Sequence, residues 1–126
     1  MAEHIEVGKR GEELAESYLR TAGYRVLGRN ITNPLGKRLG EIDIVAEKAG
    51  VVVFVEVKTL VQRGALEEYL PEWQVTRSKL QKLERIAEYY MRQHRPGEQS
   101  YRFDVVAVSL NGDEEPTVRH IEHAFL

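Results

Sequence analysis

The chain contains no cysteine. That excludes disulfides, thiolate metal ligands and a cysteine nucleophile, and it fits a cytoplasmic protein. No apolar run approaches the roughly 20 residues needed to span a bilayer as a helix, so no membrane partner is expected. The first residues, Met1-Ala2-Glu3-His4-Ile5-Glu6, are acidic and lack an apolar core, so they do not read as a signal peptide. Repeats, low-complexity tracts and Pro/Gly/Ser-rich linkers are absent as well. Nor is there an excess of positive charge: 18 Lys and Arg stand against 20 Asp and Glu, for a net charge of −2. A nucleic-acid binder with this balance cannot rely on bulk attraction. It needs local basic patches, or a bound cation to offset its acids.

What is present suits a single domain over residues 1–126 with one core. Leu14, Ala15, Tyr18, Leu19 and Ala22 fall on one helical stripe, predicting a helix over Val7 to Ala22 that stops at Gly23. Gly8 and Gly11 share that stripe, where they would allow close approach to a neighbour. A short strand over Tyr24 to Arg29 follows, then a turn-rich stretch from Asn30 to Gly40. Strands near Glu41–Glu47 and Val51–Thr59 form a hairpin around Ala49-Gly50. A second helix is predicted over Arg77 to His94, with Leu80, Leu83, Ala87, Tyr90 and Met91 on its apolar face, ended by Arg95-Pro96-Gly97. Tyr101 to Leu110 reads as a strong strand and Thr117 to Ala124 as a weaker last one. The order α-β-β-β-α-β-β implies an α/β fold, a mixed sheet flanked by helices.

Chemistry concentrates where the strand from Val51 ends. Residues two apart on a strand share a face, so Val52, Phe54, Glu56 and Lys58 point one way and Val51, Val53, Val55 and Val57 the other. A buried strand that finishes with a carboxylate and an ammonium side by side has placed costly groups where apolar ones would be cheaper. Asp43 lies on the preceding strand. Two carboxylates suit a hard cation such as Mg²⁺ or Mn²⁺, which takes few protein ligands and keeps several waters. Glu12 is the acid of the first helix best placed to reach the sheet edge and act as a further ligand, and Glu41 shares the strand face of Asp43. Lys58, between acids, should stay protonated and serve the developing phosphorane charge rather than act as a base.

Gly8-x-x-Gly11-Glu12, Gly40-Glu41-Ile42-Asp43, Phe54-Val55-Glu56-Val57-Lys58 and Arg102-Phe103-Asp104-Val105-Val106 occur in this order along the chain. Together they resemble the uncharacterised YraN-like family. That family is similar to the PD-(D/E)XK nuclease superfamily and to archaeal Holliday-junction resolvases. The resemblance implies a restriction-endonuclease-like fold, with Asp43, Glu56 and Lys58 as the catalytic motif and Glu12 as the helix acid. It further implies a Mg²⁺- or Mn²⁺-dependent endonuclease acting on DNA, branched or damaged forms included, and working as a homodimer. Two positions depart from the superfamily pattern: Ile42 replaces the proline, and Thr59-Leu60 follows Lys58 where a basic residue is expected.

Each feature also has a plainer explanation. Glu56 and Lys58 could be a surface ion pair at a strand end, Asp43 a turn acid, and Glu12 a first-turn acid favoured by the helix dipole. On that view the domain is an inactive module binding nucleic acid or protein. RNA in place of DNA is a further alternative. Lys9, Arg10, Lys37, Arg38, Arg77 and Lys79, with Lys82 and Arg85, could hold phosphates, or simply form solvated faces balanced by Glu84 and Glu88. Asp104 reads as a structural partner of Arg102. Tyr69, Pro71 and Trp73 could form a lid or pack a small satellite cluster. His4, His94, His120 and His123 have no metal-binding spacing, and the last two would face opposite sides of a strand.

Overall fold

The computed structural model describes residues 2–61, 76–98 and 100–124. The elements are α1 (Ala2–Thr21), β1 (Arg25–Thr32), a short 3-10 turn (Lys37–Leu39), β2 (Glu41–Lys48), β3 (Val51–Val61), α2 (Arg77–His94), β4 (Tyr101–Leu110) and β5 (Thr117–Ile121). They form one mixed sheet in the order β1-β2-β3-β4-β5, antiparallel except for the β3–β4 pair. Parallel neighbours need a crossover, and α2 lies between β3 and β4 in the chain. This is the helix–strand order of a restriction-endonuclease-like α/β fold.

Because β3 is apolar on both faces, it is covered on both. Val53 and Val55 join Ala15, Leu19, Ile44, Val106 and Val108 under α1. Val52 and Phe54 join Val45, Leu83, Ile86, Ala87, Tyr90 and Met91 under α2. The stripe predicted for α1 is the one that packs; on α2, Ile86 is fully buried and Leu80 only half-buried.

α1 begins earlier than expected, and Gly8 faces open space rather than a neighbour. Gly11 is the close contact: a β-carbon there would fall 1.9 Å from Thr59 Oγ1 and 3.0 Å from Thr59 Cβ and Cγ2. The helix ends in a Schellman arrangement. The Tyr24 N–H donates to Leu19 O (2.9 Å) and the Gly23 N–H to Arg20 O (3.1 Å), with Gly23 at φ 93°. β1 runs on to Thr32, beyond the predicted Arg29: the register of Gly28↔Val45 and Arg29↔Ile44 continues through Ile31↔Ile42 and Thr32↔Glu41, across an Asn30 in left-handed conformation (φ 54°). β5 stops at Ile121 instead of reaching Ala124, because His123 turns the chain with φ 50°. His120 and His123 therefore do not sit on one strand.

Asp104 is fully buried beneath α1 and all its oxygens are used. Arg102 Nε donates to Oδ1 (3.1 Å), His120 Nε2 lies 2.7 Å from Oδ2, and the His123 N–H donates to Oδ1 (3.1 Å). Arg102 Nη2 also donates to the Tyr24 hydroxyl (2.8 Å), and the Tyr18 hydroxyl meets His120 Nδ1 at 3.2 Å. This network joins β4, β5 and α1, in line with the structural role expected of Asp104.

Two outcomes follow. Gly11→Ala should lower unfolding stability by about 1–3 kcal/mol in urea titrations, with partial rescue by Thr59→Ala. Asp104→Ala strands the Arg102 and His120 donors and should cost about 3–5 kcal/mol. Burial alone would raise the Asp104 carboxyl, but the bonds from His120, Arg102 and the His123 amide hold it below the ordinary range. Its contribution is therefore full above the ordinary aspartate pKa, about 4, and is lost as the pH falls below it. Thermal melts from pH 7 to pH 3 should show that loss in the parent chain and much less of it in the variant.

Candidate functional site

The site forms where β2 and β3 diverge. Their registered pairing runs from Lys48↔Val51 to Ile44↔Val55. Beyond it, β3 continues to Val61 beside β4 alone. Asp43 stands at the fork. Its Oδ2 accepts a hydrogen bond from the Val57 N–H at 2.7 Å, so a side chain takes over where the backbone ladder stops. Strict alternation also breaks here: Ile42 packs on the α2 side with Val45, not with Ile44 under α1. The Asp43 carboxylate thereby reaches across to β3.

Burial pushes the Asp43 carboxyl up to about 7; the Val57 bond opposes this, while the charges of Glu56, Glu12 and Glu41 add to it. The sequence-predicted acids are thus within electrostatic reach of one carboxyl. Glu12 and Glu41 are bridged by Asn30, whose amide nitrogen, oriented toward them, donates to Glu41 Oε1 (2.8 Å) and Glu12 Oε1 (2.9 Å). Glu12 is also paired with Arg29 Nη2 at 3.5 Å.

Glu56 projects toward α2, as alternation from Phe54 requires. Lys58 Nζ lies 3.3 Å from its Oε1, and Lys79 Nζ 2.7 Å from the same atom. Glu56 Oε2 is buried and, among the described residues, has no hydrogen-bond partner. Burial disfavours the Lys79 ammonium, but the hydrogen bond and charge of Glu56 outweigh it and raise its hold on the proton. Lys79 thus belongs to the site and not only to a basic helix face.

The other basic candidates are exposed: Lys9 and Arg10 on α1, Lys37 and Arg38 on the 3-10 turn, and Arg77, Lys82 and Arg85 on α2. The end of the 3-10 turn abuts α2, since a β-carbon on Gly40 would lie 3.4 Å from Lys82 Cβ. Lys37 and Arg38 are thereby carried to the same side as Lys79 and Lys82. A cavity of about 620 Å³ lined by Met91, Arg92, Arg95 and Tyr101, among others, sits at the far end of α2 and takes no part in this cluster. His94 stacks on Tyr90 (4.3 Å between centroids) and His120 serves Asp104. Tyr69, Pro71, Trp73 and the His4 side chain lie outside the described residues.

Among the described residues, no three His, Asp or Glu side chains are grouped as a ready cage for an ion. Mg²⁺ does not require one; one or two carboxylates and retained waters suffice. The all-oxygen donors of Asp43 and Glu56, and the unpartnered buried Glu56 Oε2, fit such an ion.

The sequence matches an established family over residues 11–108, a span that holds every acid of this cluster. The chain belongs to uncharacterised protein family UPF0102. The UPF0102 protein of Trichlorobacter lovleyi is 42% identical over 120 residues, covering 94% of this chain and 89% of the relative. That of Caldicellulosiruptor saccharolyticus is 39% identical, covering 95% and 97%, and that of Syntrophotalea carbinolica 39%, covering 98% and 94%. Among the described residues, no helix is long and apolar enough to cross a membrane.

Sequence reasoning missed two members of the cluster: Asn30, because Asn30-Ile31-Thr32-Asn33-Pro34 reads as a loop, and Arg29, because a strand pattern does not say which helix acid its side chain will meet. The Asp43 environment generates a further prediction. The carboxyl ionises more readily in the unfolded chain than in the fold, so its burden on stability grows as the pH rises from about 4 to about 7 and is constant above. Asp43→Asn should therefore raise stability by on the order of 1–3 kcal/mol at pH 8 in chelator, with a gap that closes toward pH 4 in urea titrations.

Proposed function

We propose that this UPF0102 protein is a Mg²⁺- or Mn²⁺-dependent phosphodiesterase acting on DNA. The observation that carries this reading is the buried Oε2 of Glu56, unpartnered among the described residues, beside an Asp43 carboxyl pushed up to about 7 by burial and like charge. A fold seeking only stability would not collect acids in this way; a perturbed carboxyl among them at a strand fork fits a site meant to receive a cation and a phosphate.

Asp43 and Glu56 would hold the ion, with Glu12 and Glu41 behind them. When bound, such an ion polarises the attacked phosphate and lowers the pKa of a water. Lys58, whose Nζ lies 3.3 Å from Glu56 Oε1, would neutralise charge that gathers on the phosphate oxygens as water adds and the P–O bond to the leaving sugar oxygen breaks. Lys37, Arg38, Lys82 and Arg85 would hold flanking phosphates, with Arg77, Lys9 and Arg10 further out. These local basic groups answer the small negative net charge.

A second reading has an observation of its own. Glu56 is engaged by two lysines and Glu12 by Arg29 and Asn30, so the acids are largely paired within the protein. That arrangement also suits an inactive nucleic-acid-binding or protein-interaction module. Incubating the purified protein with labelled linear, nicked, flap and four-way DNA in Mg²⁺ or Mn²⁺ separates the two. The nuclease reading expects cleavage that falls roughly 100-fold or more in Asp43→Ala and Lys58→Ala. Absence of cleavage on every substrate, or cleavage indifferent to both changes, rejects it. Saturable Mn²⁺ binding lost in Glu56→Gln supports the metal site independently of turnover.

A further inference from the structure

Lys79 is a costly residue where it stands. It lies in the first turn of α2, whose N-cap Thr76 accepts the Lys79 N–H at 3.1 Å. That turn contains no acid, and a cation at a helix N-terminus opposes the helix dipole. Its side chain nonetheless extends to β3 and donates to Glu56 Oε1 at 2.7 Å, closer than Lys58 at 3.3 Å. Two ammonium groups therefore share one carboxylate oxygen while, among the described residues, the other oxygen has no partner. Structural pairing alone would need neither the second lysine nor this lopsided arrangement. The Lys79 side chain keeps 38% exposure against 18% for Lys58, so it is the one with room to swing away.

We infer that Lys79 is a resident counter-cation of the acidic site, occupying Glu56 until a divalent ion displaces it, so that it sets the site's ion affinity and is released to solvent when the ion binds. This rests on the metal-site reading above and adds a regulation to it. A divalent ion at Glu56 would stand a few ångströms from the Lys79 ammonium, and the two positive charges compete for the same carboxylate.

Two measurements test it. In isothermal titration with Mn²⁺, Lys79→Met should bind roughly three- to tenfold more tightly than the parent chain, the worth of one partly exposed ion pair. Arg92→Met, which removes the same charge at the far end of the same helix, should change little. In the parent chain, acetylation of lysines read by peptide mass spectrometry should show Lys79 reacting faster with Mn²⁺ than with chelator, against Lys48 at the far end of β2 as the internal reference. An affinity unchanged or weakened in Lys79→Met overturns the inference, as does an equal gain in Arg92→Met or a Lys79 acetylation rate that does not rise. If Mn²⁺ binds and Glu56→Gln abolishes binding, those results overturn the role of Lys79 alone. If no chain binds Mn²⁺, the metal site falls and this role with it.

Discussion

The hydrogen bond from the Val57 amide to the Asp43 carboxylate holds the candidate site together. In an unbroken ladder the register would place Asp43 opposite Glu56, with backbone groups consumed strand to strand. Instead the strands separate just before that pair, and the aspartate side chain satisfies the amide that the separation exposes. An exposed strand edge would otherwise offer that N–H to water or to another chain. By filling the fork from within the sheet, Asp43 comes under the influence of acids on three separate elements: Glu12 on α1, Glu41 on its own strand and Glu56 on β3. The approach of α1 that brings Glu12 in depends in turn on Gly11, because Thr59 occupies the space a side chain would need.

Charge is nearly but not fully balanced around this fork. Four carboxyls, those of Glu12, Glu41, Asp43 and Glu56, face three cations, Arg29, Lys58 and Lys79. The protein's own lysines thus prevent the acids from pushing each other apart, at the expense of the pull a divalent ion would feel. On the proposed reading, a site arranged in this way would bind a cation in exchange against its own side chains. Such exchange would couple the ion to the positions of Lys58 and Lys79, which both meet Glu56 Oε1.

Much of this architecture is legible from local pattern. Helix α2 and strand β4 have the predicted boundaries because period and stop signals agree there, Arg95-Pro96-Gly97 at one and Asn111-Gly112 at the other. The shared face of Glu56 and Lys58 follows from alternation alone. Asn30 misleads because asparagine before a turn-rich stretch signals a loop, whereas here it holds a left-handed kink inside a continuing strand. The fork at Asp43 is a tertiary event with no local signature. Lys79 carries a usable signal, a cation in the first helical turn, but helical phase cannot say which strand such a residue will reach.

The two acidic clusters of the fold argue from contrast. On the α1 side, Asp104 exposes less surface than any acid of the fork. There burial is matched by donors to both oxygens, and the carboxyl is held below its ordinary range. That is what folding does with a charge it needs only for cohesion: β4, β5 and α1 are tied together and no valence is left over. At the fork, Glu56 Oε2 has no partner among the described residues and Asp43 rises to about 7. A protein able to satisfy one buried aspartate so completely has the means to satisfy another. The demand left open at the fork sets it apart from the Asp104 network, and its oxygen-only donors are of the kind that suit a hard cation.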